Sequence, residues 1–255
     1  MSSYPNAPFI HQIIKTIHFV LAELIMKQTY RFPIFLLTSV LFFLSCASQN
    51  INDQHTTLLQ YTNESQVSTI QLPDIPRLGS SESDFDFKTL HEFQKNRTKD
   101  ECEAAKKDAK YGFTEMFPAQ KAFYNGLTQE QRAFIDSIGE ETLAAVRIVK
   151  GKFVRKRPYE ADSTLEPCIN SSSTVSRSYP SGHTTYAYVY ALFMAEIMPQ
   201  HRSEFMNRAE EIGKSRILGG VHYPSDVAAG HVLAEALFEQ FMQSKLFRDK
   251  MDELR

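Results

Sequence analysis

Three short clusters hold side chains whose types and spacing could do chemistry together. Lys150 is followed, after six residues, by Arg157-Pro158. Ser178-Tyr179-Pro180-Ser181-Gly182-His183-Thr184 forms the second. The third is Ser215-Arg216, then five residues, His222, three more residues and Asp226. Arg157 and Arg216 offer planar forks that match a tetrahedral oxyanion two oxygens at a time, and Lys150 adds a point charge. Ser181-Gly182-His183 precedes an apolar run that reads as a helix, so its backbone N–H groups would face an anion, with Gly182 permitting close approach.

His222 and Asp226 are four apart at a helix start. That spacing lets the carboxylate accept Nδ1–H and leaves the Nε2 lone pair free to attack phosphorus. His183, on another element, can protonate a leaving alkoxide while cationic. One histidine must then be neutral and the other charged, which favours weakly acidic pH. Taken singly the clusters are bland: a basic run such as 150–157 is usually a solvated face, Ser181-Gly182 can be a plain turn, Ser225 a helix cap, and a His–Asp pair a surface hydrogen bond. Their conjunction points to phosphoryl transfer, where positioning and charge stabilisation do most of the work. No Asp/Glu/His grouping has metal-ligand spacing, and three cations make a divalent ion redundant, so neither metal nor cofactor is expected.

The elements that must position these residues read as helices. Arg97–Lys110 suits an exposed helix, and Thr128-Gln129-Glu130-Gln131 has capping-box form before a run that ends at Lys150. Thr184–Met198 is almost wholly apolar, hence a buried central helix stopped by Pro199. Ser203 to Arg216 is amphipathic and is interrupted by Gly219-Gly220, after which Ser225 is expected to cap a last helix through about Phe247. Tyr159–Arg177 is a Ser- and Pro-containing loop. Period-two patterns are nearly absent, so the fold class is all-α, a single helical bundle over residues 81–250.

The first 80 residues divide differently. Lys27 and Arg31 precede the apolar run Phe32–Leu44, which ends at Ser45-Cys46-Ala47. Residues 26–47 therefore read as a signal peptide, cleaved after Ala47 or processed as a lipoprotein leader with lipidation at Cys46. About 13 apolar residues fall short of the roughly 20 needed to span a bilayer. Residues 1–25 read as a spurious upstream extension, Met26 being the natural start, and residues 48–80 as a polar tether leading into the domain. The expectation is export to the periplasm, or lipid anchoring at the cell envelope through Cys46. With Cys46 consumed, Cys102 and Cys168 remain, an even pair that an oxidising compartment can join; two separate buried thiols are equally open.

Composition sets outer limits. The 255 residues are 42% hydrophobic and 23% charged, with a formal net charge of -2. That is a globular profile without the basic field a nucleic-acid polymer would need.

The three clusters together resemble the signature of the type 2 phosphatidic acid phosphatase superfamily, shared with vanadium haloperoxidases, and within it the bacterial class A non-specific acid phosphatases. The resemblance runs from about Pro73 to the C-terminus. It implies a helical, metal-free enzyme in which Lys150, Arg157, Ser181, Gly182 and Arg216 bind phosphate, His222 is the nucleophile, Asp226 its orienter and His183 the general acid. Small phosphomonoesters would be the substrates. Oligomeric state is left open. Arg177 stands where that class has Gly, and Pro73–Ser80 only loosely matches its Pro-rich segment. Other readings from the same residues are a lipid phosphate phosphatase at a membrane surface, a haloperoxidase holding vanadate, and a non-catalytic phosphate binder.

Overall fold

The structure, a computed structural model, describes residues 59–169 and 177–255. The leader, Cys46 and residues 1–58 lie outside the described residues. The helices in chain order are α1 (Glu64–Thr69), α2 (Ser81–Asn96), α3 (Lys99–Lys107), α4 (Phe113–Met116), α5 (Lys121–Gly126) and α6 (Gln129–Lys150). Then follow α7 (Pro158–Ala161), α8 (Gly182–Ile197), α9 (Arg202–Leu218), α10 (Pro224–Gln243) and α11 (Lys245–Asp252). No strand occurs among the described residues. The fold is all-α.

The axis of the bundle is α8. Its sequence is apolar on every side, so no face can be left to water, and α6, α9 and α10 surround it. Ala187, Val189, Ala191, Phe193, Met194 and Ala195 are buried. Phe134, Phe193, Phe241 and Phe247 meet edge to face or tilted around Tyr61 and close the end remote from the site. Truncating a ring such as Phe134 to alanine would cost about 3–5 kcal/mol.

Helix ends follow local chemistry. Thr128 and Gln131 form the reciprocal capping box of α6, as the sequence predicts. The start of α10 differs from expectation. Its N-cap is Tyr223, whose N–H is accepted by Asp226 three residues on, while Ser225 lies inside the first turn and gives its N–H to Asp86. Proline at the first helical position explains the shift, since Pro224 has no N–H to be satisfied. The last helix also breaks at Ser244, which accepts from Phe247 N–H and starts α11.

Residues 59–72, part of the stretch read as a polar tether leading into the domain, pack on α6. The buried Glu141 carboxylate accepts the N–H groups of Gln60, Tyr61 and Thr62 and the Thr62 hydroxyl. Burial pushes the Glu141 carboxyl upward against the lowering effect of these donors. Val67 of α1 is fully buried. The polar composition of the stretch concealed this, because its few apolar side chains are widely spaced and its backbone N–H groups are satisfied by one distant side chain.

Candidate active site

Lys150 is the last residue of α6, and its ammonium donates to the carbonyls of Arg177 at 2.7 Å and Ser178 at 3.1 Å. The Arg177 side chain returns the contact by donating to the carbonyls of Lys150 and Gly151, so this departure from the resembled class ties a helix end to the second motif. Burial and the nearby Arg157 push the Lys150 ammonium down to about 7.

Beyond α6 the chain runs extended, with 153, 155 and 157 turned inward and 154 and 156 outward, the two-residue alternation of extended backbone. Arg157 Nη1 thereby stands 2.7 Å from His222 Nε2 and donates to the Val221 carbonyl at 2.7 Å. A guanidinium only donates, so Nε2 accepts and carries no proton. On the other side of the ring, His222 Nδ1 is 3.1 Å from Asp226 Oδ2. Because Asp226 accepts, the proton sits on Nδ1. Burial, followed by the charges of Arg157 and Lys150, holds the His222 imidazolium well below the usual histidine range.

Ser181 is the N-cap of α8; its hydroxyl accepts from Thr184 N–H and meets the Thr184 hydroxyl at 2.8 Å. Its own N–H donates to the Asp226 carbonyl at 2.9 Å, joining the second motif to the third. Gly182 and His183 head the helix, where no carbonyl of the same helix can reach their N–H groups. A Cβ on Gly182 would stand 3.3 Å from both the Tyr111 hydroxyl and Val146 Cγ1. Side-chain bulk would therefore intrude on this corner.

His183 is occupied on both nitrogens. Nε2 is 3.0 Å from the Ala109 carbonyl, which can only accept, so Nε2 carries the proton. Nδ1 then accepts from the Tyr111 hydroxyl at 3.0 Å, and the two rings stack at 4.0 Å. Burial, then the charge of Arg216, pushes His183 down to about 3, so in the free protein it is neutral at pH 5–7. The cationic His183 that the sequence leads one to expect is thus disfavoured in the free protein, first by burial.

Arg216, on α9, is almost fully buried. Its Nη2 donates to the Ala105 carbonyl and to the Ser215 hydroxyl. Burial lowers its guanidinium to about 10, still cationic at any working pH. Cys102 and Cys168 form a disulfide that joins α3 to the segment before Ile169, in a small apolar cluster with Ala105, Leu218 and Val221. α3, which supplies the Ala105 carbonyl to Arg216, is thereby tied to the loop beside His222.

Sequence reasoning missed four contributors. Arg155 Nη1 meets Asp226 Oδ1 at 2.6 Å, Asp86 binds Arg155 Nη2, the Ser178 hydroxyl donates to Asp226 Oδ2, and Tyr111 covers His183. Two of them carried a signal: Ser178 opens the second cluster, and an extended chain places Arg155 on the same face as Arg157. Among the described residues, no group of three or more His, Cys, Asp or Glu side chains is arranged to hold a metal ion. Nor is any described helix long and apolar enough to cross a membrane.

A helical bundle with a buried histidine between a carboxylate and a cluster of cations at the head of its central helix defines the acid phosphatase/vanadium haloperoxidase type of fold. A bacterial vanadium-dependent iodoperoxidase shares that architecture, with a TM-score of 0.50 at 14% identity over 71% of this chain and 53% of that one. The PAP2 superfamily sequence model matches residues 141–248, which span all three clusters. The non-specific acid phosphatase of Salmonella typhimurium is 32% identical over 113 residues, 44% of this chain and 45% of its own length. An acid phosphatase of Zymomonas mobilis is 35% identical over 106 residues, 40% of each chain. The chain spans under half the length of these curated relatives.

Proposed function

We propose that the chain is a phosphoric monoester hydrolase, an acid phosphatase that works through a phosphohistidine at His222. The observation that carries this reading is the state of His222: Nδ1–H held by Asp226, and an unprotonated Nε2 facing Arg157. The attacking lone pair is thus directed into the cationic pocket where a phosphate would sit.

In the first step the Nε2 lone pair forms a bond to phosphorus as the ester P–O bond breaks, and the leaving oxygen takes a proton from protonated His183 once one of its nitrogens has released Tyr111 or the Ala109 carbonyl. Arg157, Arg216 and Lys150 balance the charge on the equatorial oxygens, joined by the N–H groups at the head of α8. In the second step water attacks phosphorus, gives its proton to His183 and releases inorganic phosphate, which restores His222. A bound phosphate offsets the three cations and so removes the like-charge part of what keeps His183 neutral; the proton can arrive with a monoanionic ester. Ser181 holds the head of α8 through Thr184 and Asp226, and its hydroxyl, which only accepts in the contacts with Thr184, can still donate to a phosphate oxygen. The acid phosphatase relatives support phosphomonoesters as the substrate class, and the leader-like residues 26–47 support export to the cell envelope.

The test is a substrate panel at pH 5–7 of nucleotides, sugar phosphates, aryl phosphates and lipid phosphates, with acid- and base-quenched trapping of the labelled enzyme. The expected result is hydrolysis of several water-soluble monoesters and a base-stable, acid-labile phosphoenzyme that His222→Ala lacks. Retained hydrolysis of an activated aryl phosphate by His222→Ala would sink the mechanism, and turnover confined to lipid phosphates would replace the substrate class.

A further inference from the structure

Arg155 is committed through Nη1 to the third motif and through Nη2 to Asp86 of α2. Nη1 donates to Asp226 Oδ1 at 2.6 Å and to the Ser225 hydroxyl at 2.8 Å, and Nη2 donates to Asp86 Oδ2 at 2.7 Å. The guanidinium plane lies 3.8 Å over the Tyr223 ring, which Phe87 of α2 meets edge-on. Asp86 completes the frame: its Oδ1 accepts Ser225 N–H at 2.9 Å and its Oδ2 accepts the Ser225 hydroxyl. Asp86 and Asp226 are both buried, and the Arg155 side chain is only 10% exposed. A single cation thus sits between two buried carboxylates, one on α2 and one on α10, and shares the Ser225 hydroxyl with the first of them.

The geometry matters because of what Asp226 must do. Its Oδ2 accepts from His222 Nδ1, Tyr223 N–H and the Ser178 hydroxyl, while among the described residues Arg155 is the side chain that holds Oδ1. A carboxylate can turn about its last bond. Pinning Oδ1 leaves Oδ2 where the imidazole needs it. Arg155 and Arg157, two residues apart on one face of the same extended segment, therefore grip opposite ends of the His222–Asp226 pair. We propose that Arg155 is a positioning residue, anchored by Asp86, that fixes the rotation of Asp226 and through it the proton on His222 Nδ1. The proposal rests on the reading of His222 as nucleophile.

A lysine at 155 could meet Asp86 or Asp226 but lacks the fork to hold both. For Arg155→Lys the expected result is a fall in kcat of about 10- to 100-fold with KM and inhibition by inorganic phosphate within about twofold, because the pocket cations are untouched. The acid limb of kcat/KM should move to higher pH, since a less neutralised Asp226 favours the imidazolium. Asp86→Asn should move both quantities in the same direction by less, and the double variant should match the worse single one. A readout independent of turnover is the hydrogen-bonded Nδ1–H proton resonance of His222, assigned by its loss in His222→Ala; it should be present in the wild type and lost or broadened in Arg155→Lys. An unshifted acid limb with an intact resonance would overturn the proposal, as would a loss of phosphate affinity as large as the loss of kcat. If the wild type turns over no monoester but the resonance still depends on Arg155, the functional reading fails and the positioning role stands.

Discussion

Gly230→Ala tests how closely α10 is pressed against the head of α8. A Cβ at 230 would lie 2.7 Å from the Ser181 carbonyl oxygen and 3.0 Å from Thr184 Cβ. Ordinary contact begins at 3.4 Å, so the helices must part by about 0.7 Å at this point. The Ser181 carbonyl cannot yield freely, because it accepts from Thr185 N–H at 3.0 Å and from the Thr185 hydroxyl at 2.9 Å. The strain must therefore pass to the bond between Ser181 N–H and the Asp226 carbonyl, which joins the anion cradle to the histidine pair. Overpacking of this kind costs about 1–3 kcal/mol, and the better helix propensity of alanine returns up to ~1 kcal/mol. The expected outcome is a net loss of about 1–2 kcal/mol, hence a Tm lower by about 2–8 °C. Displacement of the cradle should also reduce kcat/KM by about 10- to 100-fold. Urea unfolding followed by circular dichroism, with hydrolysis of p-nitrophenyl phosphate, measures both. A variant with the wild-type midpoint and the wild-type kcat/KM would show that the contact is not close and that the two motifs are not mechanically joined.

Three further outcomes are expected. Replacing Cys102 and Cys168 by serine releases a cross-link between residues 66 apart, worth about 4 kcal/mol by the loop-entropy relation; a urea-derived loss below about 1 kcal/mol would contradict it. His183 is held at about 3 in the fold against 6.5 when unfolded, so only the unfolded chain takes up its proton in that window. The contribution of neutral His183 is fully present above pH 6.5 and drains away as the pH falls toward 3, with His222 shifted in the same direction. His183→Asn should therefore lose less stability than the wild type between pH 6.5 and 4, and parallel curves would refute the assignment. Lys150 loses its charge near pH 7, so phosphate inhibition of the wild type should weaken more steeply above that pH than inhibition of Lys150→Met; equal slopes would mean that Lys150 does not meet the anion.

Much of this protein was legible in the chain itself. The all-apolar stretch 184–198 had to be central, because no face of it tolerates water, and it forms the axis of the bundle. The capping box at Thr128 declared the start of the helix that delivers Lys150. The residue types at 150, 157, 183, 216, 222 and 226 pointed to anion chemistry, and the structure brings these side chains together. Those signals are local: period, cap and spacing need no knowledge of what lies elsewhere in the chain.

What tertiary structure decided concerns partners and charge states. Asp86 lies 139 residues from Ser225, and no pattern in either segment predicts that they meet. Arg155 and Arg157 are chemically identical, yet one serves Asp226 and the other faces His222 Nε2, a difference set by the elements that flank each guanidinium. His183 reads from sequence as an acid, but burial and three neighbouring cations favour its neutral form in the free protein. Spacing fixes which groups a helix or extended segment can present. Solvation, proton location and the pairing of buried charges depend on what packs against them, and only the assembled bundle supplies that.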